Sequence, residues 1–281
     1  MVDKIIETSV DISREKIHWN QEMSYGQYLA LDDLLNAQDI KSDKHDEMMF
    51  IIIHQASELW MKLSIHELSA AMKSLAADDL GVAMKMISRI ARIQEQLTQS
   101  WNVLATMTPK DYLSFRDSLG QSSGFQSYQY RMIEFSLGNK NKDLIKAHLE
   151  HPEIYGMVKQ TLDAPSLYDL SLQLLSRRGF DVPAECLDRD WSEPYQANKK
   201  IENIWKEIYQ NHEKHWDLYD WAEKLVDLEH RFQSWRFAHM KTVERIIGFR
   251  RGTGGTSGVS YLVKALDLRF FPELWTVRSE L

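Results

Sequence analysis

The sequence predicts an all-α protein, a single-domain helical bundle with long core helices, in one domain over residues 1–281. Three observations carry that expectation. Only 6 prolines and 12 glycines punctuate 281 residues, the long segments between them repeat apolar side chains every three or four positions, and no stretch alternates convincingly as a strand would. With 43% hydrophobic and 27% charged residues, the chain has the composition of an ordinary globular protein that can bury a substantial core.

Taken in order, the periodicity predicts helices at about 24–38, 44–76, 79–106, 109–119, 125–137, 140–149, 166–178, 196–214 and 216–249, behind an N-terminal arm over 1–22. Thr108 followed by Pro109 supplies an N-cap and a proline at the first helical position. Gly120, Gly138 and Gly179 stand where a helix would end on a left-handed residue. Residues 180–195 are the least regular stretch. In the helix at 216–249, Leu218, Trp221, Leu225, Leu228, Phe232, Trp235, His239, Thr242 and Ile246 form one continuous seam. In the helix at 44–76, Phe50, His54, Met61, Leu68 and Met72 share a face. Each long seam therefore carries a lone histidine.

Composition excludes several function classes. A formal charge of -7 disfavours a nucleic-acid partner, which needs clustered cations. The single cysteine, Cys186, excludes an intramolecular disulfide and a Cys-rich zinc site, and fits a reducing, cytoplasmic setting. The opening MVDKIIETSVDISREK has no signal-peptide core, and no stretch approaches the roughly 20 apolar residues of a membrane span, so no membrane partner is expected.

A histidine in a core seam is most often a structural residue whose ring is hydrogen-bonded to a carbonyl or carboxylate. The common metal motifs are absent. Only one of the 10 histidines, His18, has Glu three residues before it, where a di-iron bundle needs two such pairs; His66-Glu67 and His212-Glu213 lack the second histidine of H-E-x-x-H, and there is no C-x-x-C-H. A large apolar cofactor held by one histidine, such as non-covalent haem, stays open beside the structural reading. Tyr112 and Arg116 sit four apart on one helix face, where a phenol and a guanidinium fork could grip a carboxylate. Arg116 could equally pair with Asp111 or Asp117. Four of the 12 glycines fall in RRGTGGTSG, within the loop 250–260. No G-K-[ST] follows them and no third glycine completes a dinucleotide fingerprint, which leaves an active-site lid or a flexible corner.

Several blocks together resemble one family. They are MSYGQYLALDDLLNAQ (23–38), HDEMMFIIIHQASELWMKL (45–63), FRDSLGQSSGFQSYQYRMIEFSLGNKN (115–141), APSLYD (164–169), FQSWRFAHMKTVERIIGFRRGTGGTSGVSYL (232–262) and FFPELWTVR (270–278). In family order and over nearly the whole chain, they are similar to tryptophan 2,3-dioxygenases. The resemblance implies a bundle enclosing one non-covalent haem b per subunit, active as Fe(II), in a homotetramer built as a dimer of dimers. It implies insertion of both atoms of O2 across the indole C2–C3 bond of L-tryptophan, giving N-formyl-L-kynurenine in the first step of tryptophan catabolism by the kynurenine pathway. His239 matches the proximal iron ligand, and His54 the distal histidine that contacts the indole N–H. Phe50 matches the wall beside the indole, Tyr112 and Arg116 the carboxylate-binding pair, and Thr253 the residue engaging the amino-acid backbone. Trp101, Ser123 and Gly124 match positions lining the haem pocket. Tyr25 and Tyr28 match a helix that closes a neighbouring subunit's site. The alternatives are a related haem enzyme acting on another indole, or a non-catalytic haem-binding helical oligomer.

Overall fold

A computed structural model describes Val10, residues 12–17 and residues 22–281. The fold is all-α: helices, turns and loops, with no strand among the described residues. The chain divides into two compact units, one ending at Asp39 and one running from Ile40 to Leu281. The arm expected over 1–22 lies largely outside the described residues.

In the first unit, the helix expected at 24–38 is two short ones, α1 (Tyr25–Leu29) and α2 (Leu31–Leu35). Ser24 and Gln27 form a reciprocal capping box at the start of α1. Ala30 then takes a left-handed conformation with φ 50°, ending α1 and opening α2. Neither helix has a buried residue, so no packed face holds a continuous helix together against its marginal intrinsic stability.

The second unit is organised by three long helices. α3 (His45–Ala76) leads into α4 (Leu80–Leu104), and α5 (Pro109–Phe115), α6 (Tyr128–Leu137), α7 (Pro152–Asp163), α8 (Leu167–Arg177), α9 (Ala184–Leu187) and α10 (Lys199–Gln210) follow. α11 (Trp216–Ile247), α12 (Val259–Leu266) and α13 (Pro272–Thr276) complete it. Four helices were not expected from periodicity: α7, the four-residue α9, α12 and α13. α7 buries only Val158 and Leu162, and a glycine interrupts it at 156, so its seam is faint, although Pro152 at its first position is a legible start. α13 begins on Pro272 in the same way, and α12 is only eight residues long. The helix expected over 140–149 is a 3-10 segment, Lys142–His148.

The core lies where α3, α4 and α11 meet. α4 buries Leu80, Ala83, Ile87, Ile90, Gln94, Leu97, Trp101 and Leu104, at alternating spacings of three and four. α3 contributes Met61, Ser64, Leu68, Ala71 and Leu75, and α11 contributes Leu218, Trp221, Leu225, Leu228 and Phe232. At about 1.5–3 kcal/mol for each large apolar side chain fully removed from water, these seams outweigh the surface ion pairs, which are worth about 0–1 kcal/mol each. Cross-contacts fix the directions. Glu67 pairs with Arg89 while His54 approaches Trp101, so α3 runs opposite to α4; Glu95 pairs with Arg231 while Trp101 approaches His239, so α4 and α11 run the same way.

Two buried carboxylates lock the bundle's periphery. Glu134 on α6 accepts from Arg131, from Arg236 Nη2 at 2.5 Å and from the Tyr130 hydroxyl at 3.0 Å. Arg236 also donates to the Ala265 carbonyl at 3.0 Å, which ties the end of α12 to α11. Glu229 receives the backbone N–H groups of Phe270 and Phe271 and the Trp275 indole N–H at 2.9–3.1 Å, docking the α13 region. No helix among the described residues is long and apolar enough to cross a membrane.

Candidate active site

At the end of the bundle where α3 begins and α4 and α11 finish, the seam residues change from buried to half-buried. Phe50, His54, Trp235 and His239 are all partly accessible there. A second apolar cluster, with Trp101, Leu104, Met107, Tyr112, Phe115 and Ile246 at its centre, walls this end.

Two rings are aligned on α3. Phe50 and His54 are one turn apart, with ring centroids at 4.2 Å. His54 Nδ1 lies 2.7 Å from the Phe50 carbonyl, and a carbonyl can only accept, so Nδ1 carries the proton. Burial pushes the His54 pKa down, against the opposing effects of that hydrogen bond and the nearby Glu58 charge. The imidazole is therefore neutral near pH 7, and its Nε2 is left as a hydrogen-bond acceptor.

His239 on α11 stacks on Trp101 of α4, with centroids 4.6 Å apart and planes 13° from parallel. Trp235, one turn earlier on α11, approaches both rings, at 5.6 Å from His239 and 5.9 Å from Trp101. Burial, and secondarily the nearby His54, pushes the His239 pKa down to about 4.

α5 supplies the third wall. Thr108 caps it, with Asp111 returning the bond, and Pro109 sets its first turn. This start fixes Tyr112, whose ring lies 6.0 Å from Phe50. α5 ends at Phe115 and continues as a 3-10 turn from Arg116 to Leu119, with the Arg116 N–H bonded to the Tyr112 carbonyl. Burial raises the Tyr112 pKa and Arg116 opposes the rise, so the phenol stays protonated and can donate. Asp111 is engaged by Thr108, whereas Arg116 Nη2 donates to the Arg251 carbonyl at 2.9 Å and its buried Nε has no acceptor.

The glycine-rich loop closes over the turn that follows α5. The Thr253 hydroxyl donates to the Ser122 carbonyl at 2.5 Å. A Cβ on Gly254 would sit 2.6 Å from the Ser123 Cβ, so only glycine allows this approach without a shift. Gly258 has φ +65°, and a Cβ there would lie 2.3 Å from the Arg250 carbonyl oxygen.

A family profile described as tryptophan 2,3-dioxygenase matches residues 9–208 and 203–281, practically the entire chain. The chain belongs to the tryptophan 2,3-dioxygenase family. It is 55% identical over 266 residues to tryptophan 2,3-dioxygenase 1 of Ralstonia nicotianae, covering 95% of this chain and 90% of that one. It is 54% identical over 272 residues to tryptophan 2,3-dioxygenase of Bacillus cereus, covering 96% of this chain and 98% of the relative. The enzyme of Ralstonia pickettii is 54% identical over 266 residues, covering 95% of this chain and 96% of its own. Tryptophan 2,3-dioxygenases are oxidoreductases that use haem and O2 to cleave tryptophan to N-formylkynurenine, and this chain has that activity.

The residues present fit the family's cofactor. His239 is neutral near pH 7, so one ring nitrogen has a lone pair of the kind a haem iron takes. The indole N–H of Trp101, whose ring stacks on His239, is buried and finds no acceptor in the protein, as expected where a group with acceptors of its own belongs.

Of the residues singled out in the sequence, Phe50, His54, Trp101, Tyr112 and His239 are linked by a chain of ring contacts. Arg116, Thr253 and the Ser123–Gly124 turn meet through the glycine loop. Tyr25 and Tyr28 lie on α1 in the first unit and are exposed. Three contributors escaped the sequence reading of the site. Trp235 could have been found from its spacing of four from His239. The carbonyls of Ser122 and Arg251 could not, because backbone acceptors leave no mark in residue identity.

Proposed function

We propose that the cleft between α3, α4, α5 and α11 orients L-tryptophan with its indole N–H on His54 Nε2 and its carboxylate on Arg116 and Tyr112. The observation that carries this reading is the His54 tautomer. The Phe50 carbonyl at 2.7 Å takes the Nδ1 proton, and the one remaining lone pair suits a donor such as an indole N–H. Phe50 flanks the indole. The Arg116 Nε without an acceptor and the protonated Tyr112 phenol form the fork for the carboxylate. Thr253 engages the amino-acid backbone from the loop at 250–260, which serves as a lid that excludes water.

His239 holds a non-covalent haem b, one per subunit and Fe(II) in its active form, with Trp101, Ser123 and Gly124 lining its pocket. When bound, this group activates O2, the chemistry that no side chain supplies. The protein's share is to position the C2–C3 bond and to keep the substrate oriented while both oxygen atoms enter it. Residues 1–281 act as one catalytic domain. Tyr25 and Tyr28 cover the site of a neighbouring copy in a homotetramer, and the enzyme works in the cytoplasm.

The test is turnover of L-tryptophan by reduced, haem-loaded protein with isotopically labelled dioxygen. Both labelled atoms in N-formylkynurenine support the reading, and a product carrying one or none overturns it. Cleavage of L-tryptophan but not of indole propionate lacking the amino group, or of tryptamine lacking the carboxylate, is expected from the clasp at the amino-acid end.

A further inference from the structure

Beneath the candidate site the core is incompletely filled. A void of about 20 Å3 lies between α3, α4, α6 and α11, above the roughly 10–15 Å3 that one water-sized guest needs. Its walls continue the three seams that carry the site. Met61 lies seven residues after His54, Leu97 four before Trp101, and Trp235 four before His239. Those offsets place it roughly 6–10 Å along the helix axes from the site residues. Trp235 belongs to both places, because it lines the void and its ring lies 5.6 Å from that of His239.

The surface of the void is almost wholly apolar. The Ser64 hydroxyl on its wall is turned to the Trp60 carbonyl at 3.0 Å, and the Tyr130 hydroxyl to Glu134 at 3.0 Å. An ordered water needs two to four polar partners, and an apolar cavity of this kind stays dry or takes an apolar guest. The remaining polar groups on the wall are Gln94 Oε1 and Trp235 Nε1, both buried without a partner. They make a bridging water the rival occupant.

We infer that this cavity is a binding site for dioxygen, a small apolar gas, separated from the His239 ring by the Trp235 indole. The inference rests on the proposed function for its choice of gas. Dioxygen is the one apolar diatomic that the reaction consumes, and it partitions from water into apolar space. Trp235 is the partition between the cavity and the His239 pocket.

The first test is a crystal of the full chain under xenon pressure, which needs no activity. Xenon density against Met61, Leu97 and Trp235 is expected. No density there, or a water bridging Gln94 and Trp235, overturns the inference. The second test fills the void with Leu68→Phe or Ile90→Phe in the haem-loaded protein. The KM for dioxygen should rise about three-fold or more through a slower productive encounter, with the KM for L-tryptophan unchanged. A folded filling variant with an unaltered KM for dioxygen reduces the cavity to a packing defect, even if xenon enters it. If neither variant folds, slower rebinding of photolysed carbon monoxide to wild-type protein under xenon stands in, and an unchanged rate counts against the site. Xenon density in a protein that forms no product from tryptophan would sink the proposed function and leave the gas site standing.

Discussion

The Arg116 guanidinium donates to the Arg251 carbonyl at 2.9 Å, so a side chain at the end of α5 holds the backbone of the glycine-rich loop. One cation thus joins the fork proposed for the substrate carboxylate to the loop that covers it. Arg116→Ala should raise the KM for L-tryptophan roughly ten- to hundred-fold, since a charge-assisted hydrogen bond contributes about 1.5–3 kcal/mol. The Soret spectrum of the loaded protein should stay as it was. A KM within experimental error of wild type would return Arg116 to a structural role.

Gly254 tests the loop's docking. With a Cβ only 2.6 Å from the Ser123 Cβ, Gly254→Ala must push the loop away from the turn at Ser123. Overpacking of about 1–3 kcal/mol, carried wholly into the loop's closure, corresponds to roughly a five- to 150-fold loss in kcat/KM. Ser123→Gly in the same chain removes the opposing atoms and should restore much of it. A double variant no better than Gly254→Ala alone would show that the clash is not the cause.

The His54 pKa is lowered from its ordinary 6.5, chiefly by burial. The neutral ring accepts a hydrogen bond, and the protonated ring cannot. With the folded value below 6.5, kcat/KM for L-tryptophan should be flat through neutral pH and fall only on the acid side, below 6.5. 1-Methyltryptophan, which has no N–H to donate, should be a poor substrate across the same range, and an acid limb centred above 6.5 would contradict the assignment.

Glu134→Gln should be among the most destabilising single changes. It leaves Arg131 and Arg236 buried and short of their shared counter-charge, at a cost of about 3–5 kcal/mol. Lys159→Ala removes only a half-exposed pair with Asp163 and should cost less than about 1 kcal/mol. Urea midpoints of the two variants give the comparison directly, and equal midpoints would discount the buried network.

Periodicity over some thirty residues made α3 and α11 legible, and with them the two histidines that break the apolar seams. Arg116 was ambiguous, because a sequence places charges along a helix without saying which way the fork turns. Asp111 proved to be the cap partner of Thr108, which left Arg116 for the loop. The break at Ala30 had no warning, since alanine favours helix and the left-handed turn reflects a helix with no buried face. α7 was hidden because two buried residues make too short a pattern. The composition of the glycine loop marked its freedom, while its docking depends on carbonyls whose position only the fold decides.

The link from Arg236 to the Ala265 carbonyl fastens α12 to the same helix that carries His239. Both shores of the glycine loop are therefore bedrock, with α11 on one side and α12 on the other. Any change in the span between them, whether an insertion, a deletion or a borrowed sequence, is spent locally. The loop is the place where selection, or a protein engineer, can retune what the enzyme accepts while α11 and α12 stay fastened to each other.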